Sequence, residues 1–149
     1  MTERGRDETF TVRYTHAAPR ELVFECMTTP EHLAHFWGPT GTHTPASTIV
    51  ADLRPGGVFE TTMVNDRSGE THTMRALYVE VRPPSFLSWR EVGSGVLTEL
   101  TFIEADHGTE VVTTQRGLPP QRRTPQARAG WRTALDRAGD YIASIAPPG

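Results

Sequence analysis

Apolar and polar residues alternate over positions 9–15, with Phe10, Val12 and Tyr14 on one side and Thr11, Arg13 and Thr15 on the other. That period of two predicts a half-buried strand at the start of the chain. The spacing then lengthens. Pro19 suits the first turn of a helix, and Leu22, Val23, Cys26 and Met27 follow as a narrow apolar stripe at helical spacing. Thr29 before Pro30 offers a second helix start, with Leu33, Phe36 and Trp37 as its apolar side and Gly38-Pro39 as its stop.

From about residue 47 the texture changes to β-branched and aromatic segments separated by turn residues, the mark of a meander. Six strands are expected, over residues 47–53, 58–64, 70–81, 86–91, 96–104 and 109–115. The connections between them carry Gly, Pro, Asp or Ser and are short, which makes neighbouring strands antiparallel. Residues 117–124, rich in Pro and Arg, read as a loop. From Pro125 the residues Ala127, Trp131, Leu135, Ala138, Ile142 and Ile145 recur every three or four positions, the stripe of one long amphipathic helix that Pro147-Pro148 ends. Such a helix must bury its stripe, and the inner face of the sheet is the large apolar surface available for it. The expected fold class is α+β: a seven-stranded, strongly curved antiparallel sheet in the order β-α-α-β6-α, wrapped around a long C-terminal helix. Residues 9–146 form this unit and residues 1–8 a polar tail.

A sheet curled around a helix leaves volume between the two unless large side chains fill it. Strand alternation turns Phe59, Thr61 and Met63 inward, then Met74, Ala76 and Tyr78, then Leu87 and Trp89, then Thr98, Leu100 and Phe102. Trp37 and Trp131 would close the ends, and Leu135 would lie on the helix floor. The expected ligand-binding set is Trp37, Phe59, Thr61, Met63, Met74, Tyr78, Trp89, Leu100, Phe102, Trp131 and Leu135. The competing reading is that these side chains simply fill a core.

Several local motifs resemble those of the Hsp90-ATPase-activator homologues within the START/Bet v 1-like (SRPBCC) superfamily. Residues 18–24 (APRELVF) are similar to that family's first-helix start, and residues 29–39 (TPEHLAHFWGP) to its second helix. Residues 52–57 (DLRPGG) resemble its hairpin, residues 80–87 (EVRPPSFL) a strand corner, and Gly130-Trp131 its last helix. Where the family often has two tryptophans before Gly-Pro, this chain has Phe36-Trp37. The resemblance implies a helix-grip fold with an interior cavity. Related folds also host cyclases and dehydratases of polyketide-type metabolites, in which one polar side chain handles a proton, and Tyr78, Glu80 and His72 are the residues that combine a titratable group with a place near the inner face. Eukaryotic members act as co-chaperones through this domain beside a second one, for which this sequence has no counterpart, and a protein-interaction role is the third reading.

Composition narrows these readings. A net charge of -3 argues against a general polyanion binder, and all fifteen basic residues are Arg. Arg116, Arg122, Arg123, Arg128 and Arg132 cluster late in the chain, but Asp136 and Asp140 stand close by and no nucleic-acid motif accompanies them. One cysteine, Cys26, permits no internal disulfide, and the N-terminus lacks an apolar run, so the cytosol is expected, with neither export nor a membrane span. Cys26 lies on a helix stripe as a small hydrophobe, and Ser94 sits in a hairpin turn, so no nucleophile is assigned. His32 and His35 share a helix but lack a third ligand, and His16, His43, His72 and His107 are scattered. Glu80 is expected to form a structural ion pair with an arginine such as Arg54. No cofactor or metal is expected. The partner is expected to be a small hydrophobic molecule, and a homodimer is one possible assembly.

Overall fold

The computed structural model describes residues 9–147. The expected polar tail over residues 1–8, and Pro148 of the terminal proline pair, lie outside them. The elements are β1 (Phe10–His16), α1 (Arg20–Thr28), α2 (Pro30–Leu33), β2 (Thr42–His43), β3 (Val50–Ala51), β4 (Val58–Asn65), β5 (Thr71–Arg82), β6 (Phe86–Glu91), β7 (Leu97–Ala105), β8 (Gly108–Arg116) and α3 (Pro125–Ile145). All pairings are antiparallel. The sheet runs β1-β8-β7-β6-β5-β4-β2, with β3 also on β4. This is the helix-grip architecture: a curved sheet gripping one long helix.

Alternation decides which side chains meet the helices. Phe59, Thr61, Ala76, Tyr78, Leu87, Trp89, Thr98, Leu100 and Phe102 are all buried, as the period of two requires. The inward parity therefore holds on β4, β6 and β7 and on most of β5. It changes at a bulge between Tyr78 and Glu80, where the register of β5 on β6 shifts by one residue. Val79 is left exposed and Val81, rather than Glu80, packs on the core. The Glu80 backbone N–H donates to Ser88 Oγ (3.1 Å), which stabilises the irregularity.

Two expectations need correction. The strand placed over residues 47–53 is a 3₁₀ turn, Ala46–Thr48, followed by the two-residue β3. Pro45 supplies the turn with a fixed φ, and Thr48 Oγ1 donates to the Pro45 carbonyl (2.7 Å), drawing those residues out of the ladder. A second two-residue strand, β2, pairs with the far end of β4, so among the described residues the expected seven-stranded sheet carries one further short strand. The helix expected to run to Trp37 stops at Leu33 and continues as turns, with the Phe36 and Trp37 N–H groups both donating to the Leu33 carbonyl.

α3 forms as expected. Thr124 caps it by accepting from the Ala127 N–H (3.1 Å), Pro125 occupies its first turn, and its 21 residues extend roughly 30 Å. Leu135, Ala138, Gly139 and Ile142 are buried, whereas Ile145 at its end is exposed. Where α3 crosses β1, Gly139 lets Tyr14 approach so closely that a Cβ there would overlap the tyrosine ring and hydroxyl. In an open helix, Gly→Ala gains roughly 1 kcal/mol. Here Gly139→Ala is expected to lose about 1–3 kcal/mol through overpacking, measured by urea denaturation; a gain would contradict this packing.

Candidate functional site

Between α3 and the concave face lies a cavity of about 740 Å³. Its origin is visible in side-chain size. Beside the larger Trp131 and Leu135 the helix presents Ala127, Gly130, Ala134 and Ala138 to it, and beside Trp89 and Leu100 the sheet presents Thr98, Val111 and Thr113. Where these short side chains face one another, they do not meet across the gap. The helix does not settle closer because it is fastened elsewhere. The Arg128 guanidinium lies over the Phe10 ring (4.8 Å), and Arg137 donates to the Gly38 and Pro39 carbonyls (2.8 and 2.9 Å). Near its C-terminal end Tyr141 Oη lies 2.6 Å from His32 Nδ1, and its ring stacks on His35 (4.5 Å).

Of the residues expected to face a ligand, Trp37, Met63, Met74, Trp89, Leu100, Trp131 and Leu135 line this cavity. Phe59, Thr61, Tyr78 and Phe102 do not; they are buried behind its wall. The reason is coverage. α1 packs on the sheet directly, with Phe24 against Phe102 (5.2 Å between ring centres), so no space remains there. Phe59 is enclosed by Trp37, Tyr78 and Trp89 at 4.9 to 5.4 Å, an aromatic cluster whose outer members reach the cavity and whose inner ones do not. Tyr14, His16, Met27, Phe36, Val111 and Thr113 line the cavity without having been assigned to it. Extending the alternation 10, 12, 14 by one step would have placed His16 inward, and the same step along β8 would have found Val111 and Thr113.

The three candidate proton-handling residues separate. His72 stands on the cavity wall but is exposed to solvent. Tyr78 is buried off the cavity, with its hydroxyl unpartnered among the described residues and its pKa raised by burial and, second, by Asp52. The bulge turns Glu80 outward, where it pairs with Arg82, while Arg54 pairs with Asp52 (2.9 Å) and not with Glu80. Cys26 is buried, and desolvation with the neighbouring Glu25 pushes its thiol up to about 11, so a thiolate nucleophile is disfavoured.

Two polar features mark the cavity's ends. At one, Arg122 from the loop before α3 makes a two-pronged ion pair with Glu91 at the end of β6 (2.8 and 3.0 Å), and Gln115 Nε2 donates to Thr98 Oγ1 (3.1 Å). At the other, His16 ends β1. It is 1% exposed, and its ring centre lies 4.9 Å from that of Tyr14. Burial lowers its pKa from 6.5 to about 4. The folded state therefore binds a proton less readily than the unfolded chain, and the stability His16 permits is complete above pH 6.5 and falls as the pH drops toward 4. Urea denaturation at pH 7 and pH 4.5 is expected to show a loss of about 2 kcal/mol attributable to His16. In His16→Phe that part of the slope is expected to vanish; an unchanged slope would contradict the burial argument.

Solved structures share the fold at low identity. A Chromobacterium violaceum protein matches with a TM-score of 0.80 at 22% identity, over 95% of this chain and 99% of that one. A Rhodobacter sphaeroides protein matches with a TM-score of 0.83 at 19% identity, over 96% and 97%. An AHSA1-like protein from Aeromonas hydrophila, known in solution, matches with a TM-score of 0.78 at 22% identity, over 91% and 92%. Among curated proteins none matches this sequence. The family model described as "Activator of Hsp90 ATPase homolog 1-like protein" matches residues 17–143, most of the chain and every element from α1 into α3. With the helix-grip topology, that match makes this chain a member of the Activator of Hsp90 ATPase homolog 1-like family, within the START/Bet v 1-like (SRPBCC) superfamily.

Proposed function

We propose that this protein binds one small, largely apolar or amphipathic molecule between α3 and the sheet, and that binding requires no chemistry from the protein. The observation that carries the reading is the cavity itself, about 740 Å³ with three tryptophans, Met27, Met63, Met74 and Leu100 on its walls. Small-molecule sites typically measure ~300–1,000 Å³ and combine apolar walls with few polar groups. Methionine and tryptophan walls adapt to varied apolar shapes, which suits a hydrophobic guest.

The enzymatic alternative, a cyclase or dehydratase acting on a polyketide-type metabolite, loses two of its three candidate residues, since Tyr78 and Glu80 do not face the cavity. The interaction-module alternative needs an apolar outer face. The convex side instead carries the ion pairs Arg13–Glu110, Arg75–Glu60 and Arg116–Glu99, with Leu77, Val79 and Ile103 exposed among them. No helix among the described residues is long and apolar enough to cross a membrane. The cytosol is the compartment we assign, and a homodimer remains compatible with the site.

The neutral fluorophore N-phenyl-1-naphthylamine tests the reading. It is expected to bind one molecule per chain with enhanced, blue-shifted emission, and Ala134→Trp, which fills the cavity from the helix side, is expected to weaken it at least about tenfold. Circular dichroism should remain unchanged. No binding by the wild-type protein, or equal binding by a folded Ala134→Trp variant, would contradict the cavity reading.

A further inference from the structure

Two polar groups on the cavity wall, the His16 imidazole and the Trp131 indole N–H, are shielded from solvent and have no hydrogen-bond partner among the described residues. Arg122 and Gln115, also on the wall, differ, since Arg122 is matched to Glu91 and Gln115 to Thr98. Burying a polar group without a hydrogen bond is costly, so orphans on the wall of a cavity point to a partner that arrives with the guest. His16 lies six residues along β1 from Phe10, roughly 20 Å from the end where Arg128 covers that ring. From these positions we infer that the ligand carries an uncharged hydroxyl or carbonyl that docks on His16, so that it enters polar end first with its apolar body between Trp37, Trp89 and Leu135.

This inference rests on the cavity-binding reading and adds to it the chemical class and orientation of the guest. A neutral imidazole offers one donor and one acceptor, which a hydroxyl or carbonyl oxygen complements. Burial alone accounts for the depressed proton affinity of His16, with no charged side chain contributing. A carboxylate or ammonium head would therefore be buried there without a counter-charge, which disfavours it. Trp131 can only donate, and an acceptor oxygen along the ligand satisfies it.

Naphthalene, 2-naphthol and 2-naphthoate share one apolar body and differ in the head group. By isothermal titration at pH 7.5, the wild-type protein is expected to bind 2-naphthol about tenfold more tightly than naphthalene, with 2-naphthoate weaker than 2-naphthol. Within His16→Phe the ratio of 2-naphthol to naphthalene affinity is expected to fall to about one, whatever the variant's absolute affinity for either. Imidazole ¹⁵N resonances read the same contact in the unmodified protein: those of His16 should move with 2-naphthol and stay fixed with naphthalene. Naphthalene binding with no gain for 2-naphthol, tightest binding of 2-naphthoate, or unmoved His16 nitrogens would overturn the His16 contact and leave the cavity reading standing. Failure of naphthalene, 2-naphthol and N-phenyl-1-naphthylamine alike would overturn both.

Discussion

α3 is held above the sheet by long side chains at its flanks, while several short residues along its inner face, interspersed with Trp131 and Leu135, leave room beneath it. Arg128 on Phe10, Arg137 on the Gly38 and Pro39 carbonyls, and Tyr141 on His32 fix the height of the helix. Gly130, Ala134 and Ala138 leave the space beneath it open. Protein interiors ordinarily close such gaps, because a void forfeits the dispersion contacts of every atom around it. The cavity persists because collapsing it would sacrifice several directional contacts at once. The rest of the structure follows from this stand-off: the aromatic cluster has one face against protein and one against the gap, and His16 is buried yet on the cavity wall.

The same constraint divides the concave face. Beneath α1 the sheet meets a helix that packs directly, and Phe24 on Phe102 seals that region. Beneath α3 it does not, and Trp37, Trp89 and Leu100 remain available. One end of the sheet is therefore closed by a helix and the other borders open volume, although the two share a continuous hydrophobic cluster.

Much of this was legible in the chain. The period-two segments marked the long strands because each has one buried face, and the stripe from Ala127 marked α3 because only a helix unites residues three and four apart. The two-residue strands were not legible, because their pairing is imposed by β4 and leaves no periodic trace of its own. The bulge at Val79 was hidden as well: unbroken alternation from Tyr78 carries Glu80 inward, and only the shifted pairing with β6 turns Val81 in instead. Within the site, alternation found the inward residues but not which of them face space. Phe59 and Trp37 differ in whether a neighbour covers them, and that neighbour, as for Phe102, comes from a distant part of the chain. His16 escaped notice because a lone histidine carries no spacing signature; only its parity on β1 betrays it.

Whether the helix stands off from the sheet is most directly visible in crystals held under xenon pressure, since an apolar void takes up xenon where a packed core does not. The structure described here predicts ordered xenon between Leu100, Met27 and Ala138, with no shift of α3. Side chains occupying that region, with no xenon density beneath the helix, would contradict it.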